Sequence, residues 1–132
     1  MEISVHDNTL HSYCVSADRK EIRLHTSYAA QDSQEVSDVV FTGVVAYRFE
    51  LDNFMTIIFD VYETNVDAIY TDERGMFEDG RKYLWPGTWN TSDESVLAYL
   101  VDNEIKGYRL SSSIGMVGWV LAKSMSFVNG TA

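Results

Sequence analysis

Cysteine occurs once, as Cys14, so no internal disulfide can form; this excludes the disulfide-stapled class of small secreted domains and suits a reducing compartment. Proline also occurs once, as Pro86, and eight glycines are too few for a linker-like or collagenous chain. No apolar run approaches the roughly 20 residues that a membrane helix needs, so no membrane span is expected. The opening Met1-Glu2-Ile3-Ser4-Val5-His6-Asp7 has neither the basic start nor the apolar core of an export signal. A cytoplasmic location follows as the expectation, and Asn90-Thr91-Ser92 and Asn129-Gly130-Thr131 are then not read as glycosylation sites. Bases are scarce: 10 stand against 20 acids, for a formal net charge of −10. A field of that sign repels phosphate backbones, which argues against nucleic acid, and attracts cationic proteins.

The acidic excess is not spread evenly. Residues 37 to 105 hold fourteen acids and four bases, whereas residues 106 to 132 hold three bases and no acid. With 45% hydrophobic and 13% aromatic residues, the 132-residue chain can bury one core, and a single domain spanning 1–132 is expected.

Two β-type runs dominate the pattern. Asp38 to Phe49 and Thr56 to Tyr62 are apolar on both alternating faces and rich in β-branched and aromatic residues, with Leu51-Asp52-Asn53-Phe54 between them as a turn. They read as a core hairpin, with Phe41 and Phe59 in its centre. Before it, His11–Val15 and Ile22–Tyr28 form a first hairpin; placing Val15 opposite Ile22 and Tyr13 opposite Leu24 buries one face and turns Cys14, Arg23 and His25 outward. Gln31 to Val36 reads as a polar loop. After Glu63 the period lengthens to that of a helix, from about Val66 to Tyr83, with Gly75 and Gly80 able to split it. Pro86-Gly87 marks a turn, and Thr91-Ser92-Asp93-Glu94 fits a capping box opening a second helix that runs to about Asp102. A last hairpin joins Lys106–Ser112 to Val117–Lys123 around Gly115, and Phe127 adds a contact beyond it. The fold class is therefore α+β: a mainly antiparallel sheet of about five to seven strands with two helices packed on one face.

Catalytic patterns are weak. Cys14 and His25 would lie diagonally on one face with Ser12 opposite His25, but no third orienting group is indicated. In that register His11 and His25 point to opposite faces, and no ligand spacing predicts a metal. Asp38, Asp60 and Glu63 form no distinctive carboxylate pair among so many acids, Ser111-Ser112-Ser113-Ile114-Gly115 lacks the leading glycine of a nucleophile elbow, and no glycine-rich loop cradles a phosphate. No catalytic residue and no cofactor are expected.

The candidate contact surface instead combines Glu73, Glu78 and Asp79 with the aromatic loop Tyr83, Trp85 and Trp89. Acids steer a basic partner, while large rings hold it; the same rings would otherwise close one end of the core.

With the core hairpin, the Trp85-Pro86-Gly87 connection and the terminal Gly118-Trp119-Val120-Leu121-Ala122-Lys123 strand, the chain resembles the small acidic immunity proteins of bacterial toxin systems. The likeness covers the whole chain in size, charge and α+β layout and carries no residue over position by position. It implies a stoichiometric inhibitor of a basic toxin that needs no cofactor. Two other readings are a small-ligand or enzymatic domain with a pocket between sheet and helices, and a structural domain that homodimerises through an open sheet edge.

Overall fold

Alternation of apolar and polar side chains along residues 9–42 produces three consecutive antiparallel strands: β1 (Thr9–Ser16), β2 (Glu21–Ala30) and β3 (Ser33–Thr42). The computed structural model describes residues 4–30, 33–80, 83, 85–86 and 96–130. The first hairpin has the expected register, with Val15 opposite Ile22, Tyr13 opposite Leu24 and Ser12 opposite His25. Ile22 and Leu24 are fully buried, yet Tyr13 and Val15 remain 38% and 42% exposed. The reason is that β1 meets its second neighbour only at Thr9↔Ile57, so its later residues run along an edge. Residues 33–36, part of the expected loop 31–36, begin β3: Gln34 and Glu35 are exposed on a strand whose backbone pairs with β2.

The expected core hairpin is not formed. Gly43, at φ +64, interrupts the first run, and a Cβ there would meet Lys123 Cγ at 2.8 Å. The run becomes two strands, β3 and β4 (Ala46–Glu50), and neither pairs with β5 (Ile57–Thr64). β3 lies between β2 and β8 (Ser124–Asn129), while β5 pairs with β6 (Lys106–Ile114). Register shifts at Ile57/Ile58 and Ile58/Asp60 turn Phe59 outward, 52% exposed, so it is not a core residue; Phe41 is buried as expected. The last hairpin, β6 with β7 (Val117–Ala122), matches the reading, with Gly115 at φ +91 in the turn.

The sheet has eight strands in the order β4-β7-β6-β5-β1-β2-β3-β8, one more than the upper expectation, because the broken core run counts twice and Phe127 belongs to a full strand. Lys123 alone separates β7 from β8, although these stand second and last in the order. The sheet must therefore curl back on itself. Its concave side holds one core, in which Ile22, Leu24, Phe41, Ile58, Leu110 and Val120 pack together.

Among the described residues three short helices stand where two were expected: α1 (Val66–Asp72), α2 (Arg74–Gly80) and α3 (Val96–Asp102). Asn65 caps α1 by accepting from the Asp67 amide at 2.9 Å, and the helical stretch breaks at Glu73 before α2 resumes it. A Cβ at Gly80 would meet the Trp85 ring at 2.4 Å, so the Trp85 approach requires glycine there. The capping box at 91–94 lies outside the described residues. Ile69, Phe77 and Leu100 cover the outer face of β4 and β7, where Ala46, Trp119 and Leu121 form a second core. β7 is thus an interior strand with both faces buried, as its apolar run predicts.

Candidate functional site

The helical layer carries most of the predicted contact residues, and the structure divides them. Glu78 and Asp79 are exposed on α2, and Tyr83 is 82% exposed. Trp85 instead packs against the second core, its ring stacked on Phe77 at 5.2 Å, and Phe77 in turn lies 6.0 Å from Trp119. Trp89 lies outside the described residues.

Glu73 is held from three directions. Arg48 Nη1 donates to its Oε2 at 3.0 Å, Trp119 Nε1 donates to its Oε1 at 3.3 Å, and the break between α1 and α2 places it over the sheet. Pairing sets Tyr62, Arg109, Trp119 and Arg48 side by side across β5, β6, β7 and β4. Arg109 reaches Asp72 at 2.7 Å, so two adjacent acids from the helical layer bind two arginines of the sheet. Glu73 is thereby a clamp between layers, and the shallow space beside it, about 190 Å³, is lined by charged groups already in ion pairs.

Removing Asp72 and Glu73 leaves Asp67, Glu78, Asp79, Asp102 and Glu104 exposed on this layer, with no ion pair among the described residues. Among the described residues from α1 to α3, Arg74 is the one base, and it lies 5.8 Å from the Tyr70 ring.

A second constellation occupies the outer face of β1, β2 and β3. A bulge between Leu10 and Ser12 adds His11 as an extra residue on β1, which brings the His11 and His25 rings to 6.2 Å on one side. The expectation that these histidines face apart is therefore corrected. Ser27 Oγ accepts from Gln34 Nε2 at 2.9 Å and is hydrogen-bonded to His11 Nε2. His25 Nδ1 donates to Asp38 Oδ1 at 2.7 Å, while Arg23 donates to Oδ2 at 2.8 Å. Burial alone would push the Asp38 carboxyl up; the hydrogen bonds from Arg23 and His25 outweigh it and hold the group below its ordinary value.

Asp38 is thus the orienting group for His25 that sequence alone does not disclose. Arg23 neutralises the same carboxylate, however, so Asp38 works first as a buried anchor between β2 and β3. Asp60 is on β5, separated from β3 by β1 and β2, so no pair with Asp38 forms. Among the described residues no group of three or more His, Cys, Asp or Glu side chains could hold a metal.

A third feature is the loop between β4 and β5. Leu51 and Phe54 adopt φ of +63 and +65, a region that costs a non-glycine residue about 1–2 kcal/mol. Asp52 and Asn53 hold the shape by accepting from the Phe54 and Met55 amides, and Tyr13 Oη donates to Asp52 Oδ2 at 2.9 Å. That last bond, ahead of slight burial, raises the Tyr13 phenol. Leu51, Phe54 and Met55 are nevertheless 71%, 98% and 63% exposed.

No protein-family model, curated protein or solved structure matches the chain. The site must be judged on its own geometry. Reasoning from sequence missed Arg48, Arg109 and Trp119 as the partners of the α1–α2 junction, since these pairs join residues far apart in the chain. Asp38 did carry a signal: an acid inside the apolar run Val36 to Phe41 needs a cationic partner if that run is buried.

Proposed function

We propose that this chain is a non-enzymatic binding protein whose acidic helical layer engages a cationic protein, in the manner of an immunity-type inhibitor of a basic toxin. The observation that carries the reading is the division of charge on that layer. Asp72 and Glu73 are used internally, while Asp67, Glu78, Asp79, Asp102 and Glu104 stand exposed, and among the described residues of that layer Arg74 is the one base. Exposed charge of one sign raises the rate of encounter with an opposite partner far more than it stabilises the fold. Exposed Tyr83, beside this acidic surface in sequence, supplies a ring of the type that dominates binding energy when it is covered. The buried polar groups at the outer face of β1–β3 are mutually satisfied, which suits a structural role there.

No helix among the described residues is long and apolar enough to cross a membrane, and the exposed thiol of Cys14 is compatible with work in the cytoplasm.

The test is capture from the source lysate at low and high salt, comparing the natural chain with Glu78→Lys/Asp79→Lys, followed by growth rescue with the captured protein expressed as the toxic agent. A basic protein retained at low salt, released at high salt and lost by the charge reversal supports the reading. Retention of no basic protein, or rescue that needs a turnover step abolished by His25→Ala, sinks it.

A further inference from the structure

We infer that the groove between the β1 bulge and the β4–β5 loop is a receptor for one cationic side chain, arginine or lysine, of a protein partner. The inference rests on the proposed function for the sign of the partner's charge, and it adds a contact on a different part of the molecule from the helical layer.

The groove encloses about 400 Å³, with Leu10, His11, Ser12 and Tyr13 along the strand and Asp52 and Phe54 on the loop. Asp52 is the one carboxylate among its lining residues, and His11 Nε2 is already engaged by Ser27. The loop itself carries no base. Arg48, the nearest base along the chain on the N-terminal side, is already paired with Glu50 and Glu73.

Three elements needed to hold a cation converge here. The Asp52 carboxylate accepts one hydrogen bond on each oxygen, from Phe54 N at 3.2 Å and Tyr13 Oη at 2.9 Å, and each oxygen keeps a further acceptor direction. Tyr13 and Phe54 add two aromatic rings to the same groove, whose faces attract a guanidinium or ammonium group. The carboxylate, the Tyr13 ring and the loop backbone that carries Phe54 are held in place before any partner arrives, because the Asp52 and Asn53 side chains accept from loop amides and Tyr13 ties the loop to β1. Little ordering entropy then remains to be lost on binding. Phe54, 98% exposed on a backbone held at positive φ, contributes nothing to the core and is positioned for contact. Leu51 and Met55, exposed on the same loop, add apolar surface of the kind along which the stem of a long basic side chain lies. An anionic lipid surface is a poor alternative occupant, because it would face Asp52 and a chain of net charge −10.

The experiment titrates the isotope-labelled full chain with a hexa-arginine peptide and, separately, a hexaglutamate peptide, following backbone amide shifts. The expected result is saturable movement of the Tyr13, Asp52 and Phe54 amides with the arginine peptide alone. Phe54→Ala and Asp52→Asn should each weaken binding at these amides about three- to five-fold, while the Glu78 and Asp79 amides respond as before. Phe54→Ala keeps the backbone groups that build the loop and should melt with the parent. Shifts confined to Glu78 and Asp79 would overturn the groove and leave the acidic-layer reading standing; shifts at neither place overturn both. Concentration-dependent dimerisation of the parent, abolished by Phe54→Ala, would assign the groove to a second copy of the chain and also overturn the proposal.

Discussion

His25 and Asp38, on adjacent strands and opposite one another in the ladder, share a hydrogen bond of 2.7 Å in which the carboxylate is almost wholly buried and the imidazole is not. Arg23 meets the other oxygen, so one acid secures two donor side chains of β2 to β3.

That relation predicts a pH dependence. The Asp38 carboxyl is held below its unfolded value, so its stabilising contribution is fully present above the unfolded carboxylate range and is lost as pH falls through the lower folded value. Asp38→Asn should therefore cost about 2 kcal/mol near neutral pH, and the gap from the parent should close in strong acid. Paired thermal melts across the acid range check it; a gap that widens in acid would contradict the pairing.

Phe41 and Phe59, both expected in the core, should part company. Phe41 is 1% exposed in the inner core, and Phe41→Ala should cost about 3–5 kcal/mol. Phe59 is 52% exposed, resting against His6, and Phe59→Ala should cost less than about 1 kcal/mol. Urea denaturation of both variants decides the point.

Glu73 should behave as a structural residue and Glu78 as a surface one. Glu73→Ala removes the acceptor for both Arg48 and the Trp119 indole, and about 1–2 kcal/mol should be lost. Glu78→Ala should stay within about 0.5 kcal/mol of the parent and slow association with a basic partner. Equal destabilisation by the two changes would argue against the clamp.

Gly118 allows β4 to approach β7. A Cβ there would sit 2.0 Å from Arg48 O, so Gly118→Ala must push the strand that carries Arg48 and Phe49. A loss of about 1–3 kcal/mol is expected, with the Trp119 fluorescence shifted because its clamp is displaced. Retention of parental stability and emission would show that the approach is looser than the geometry states.

Residue order alone determined the local elements. Alternation in Tyr13, Val15, Ile22 and Leu24 set the first hairpin and its register, and the glycine-marked turn before Val117 set the last one, because both pairings join residues close along the chain. It also determined the class, the buried position of Phe41 and the acidic surface of the helices. Tertiary structure decided what lies between distant segments. An apolar strand declares that it must be covered and does not declare by which neighbour, so β3 and β5, apolar alike and expected to pair as one hairpin, were separated by β1 and β2. One extra residue at His11 reversed the face of a side chain, and two irregularities in β5 turned Phe59 out of the core, shifts that binary patterning does not encode. The same holds for charge: Glu73, Glu78 and Asp79 are alike in the sequence, and only the distance to Arg48 on a strand 25 residues away makes one a clamp and leaves the others exposed at the surface.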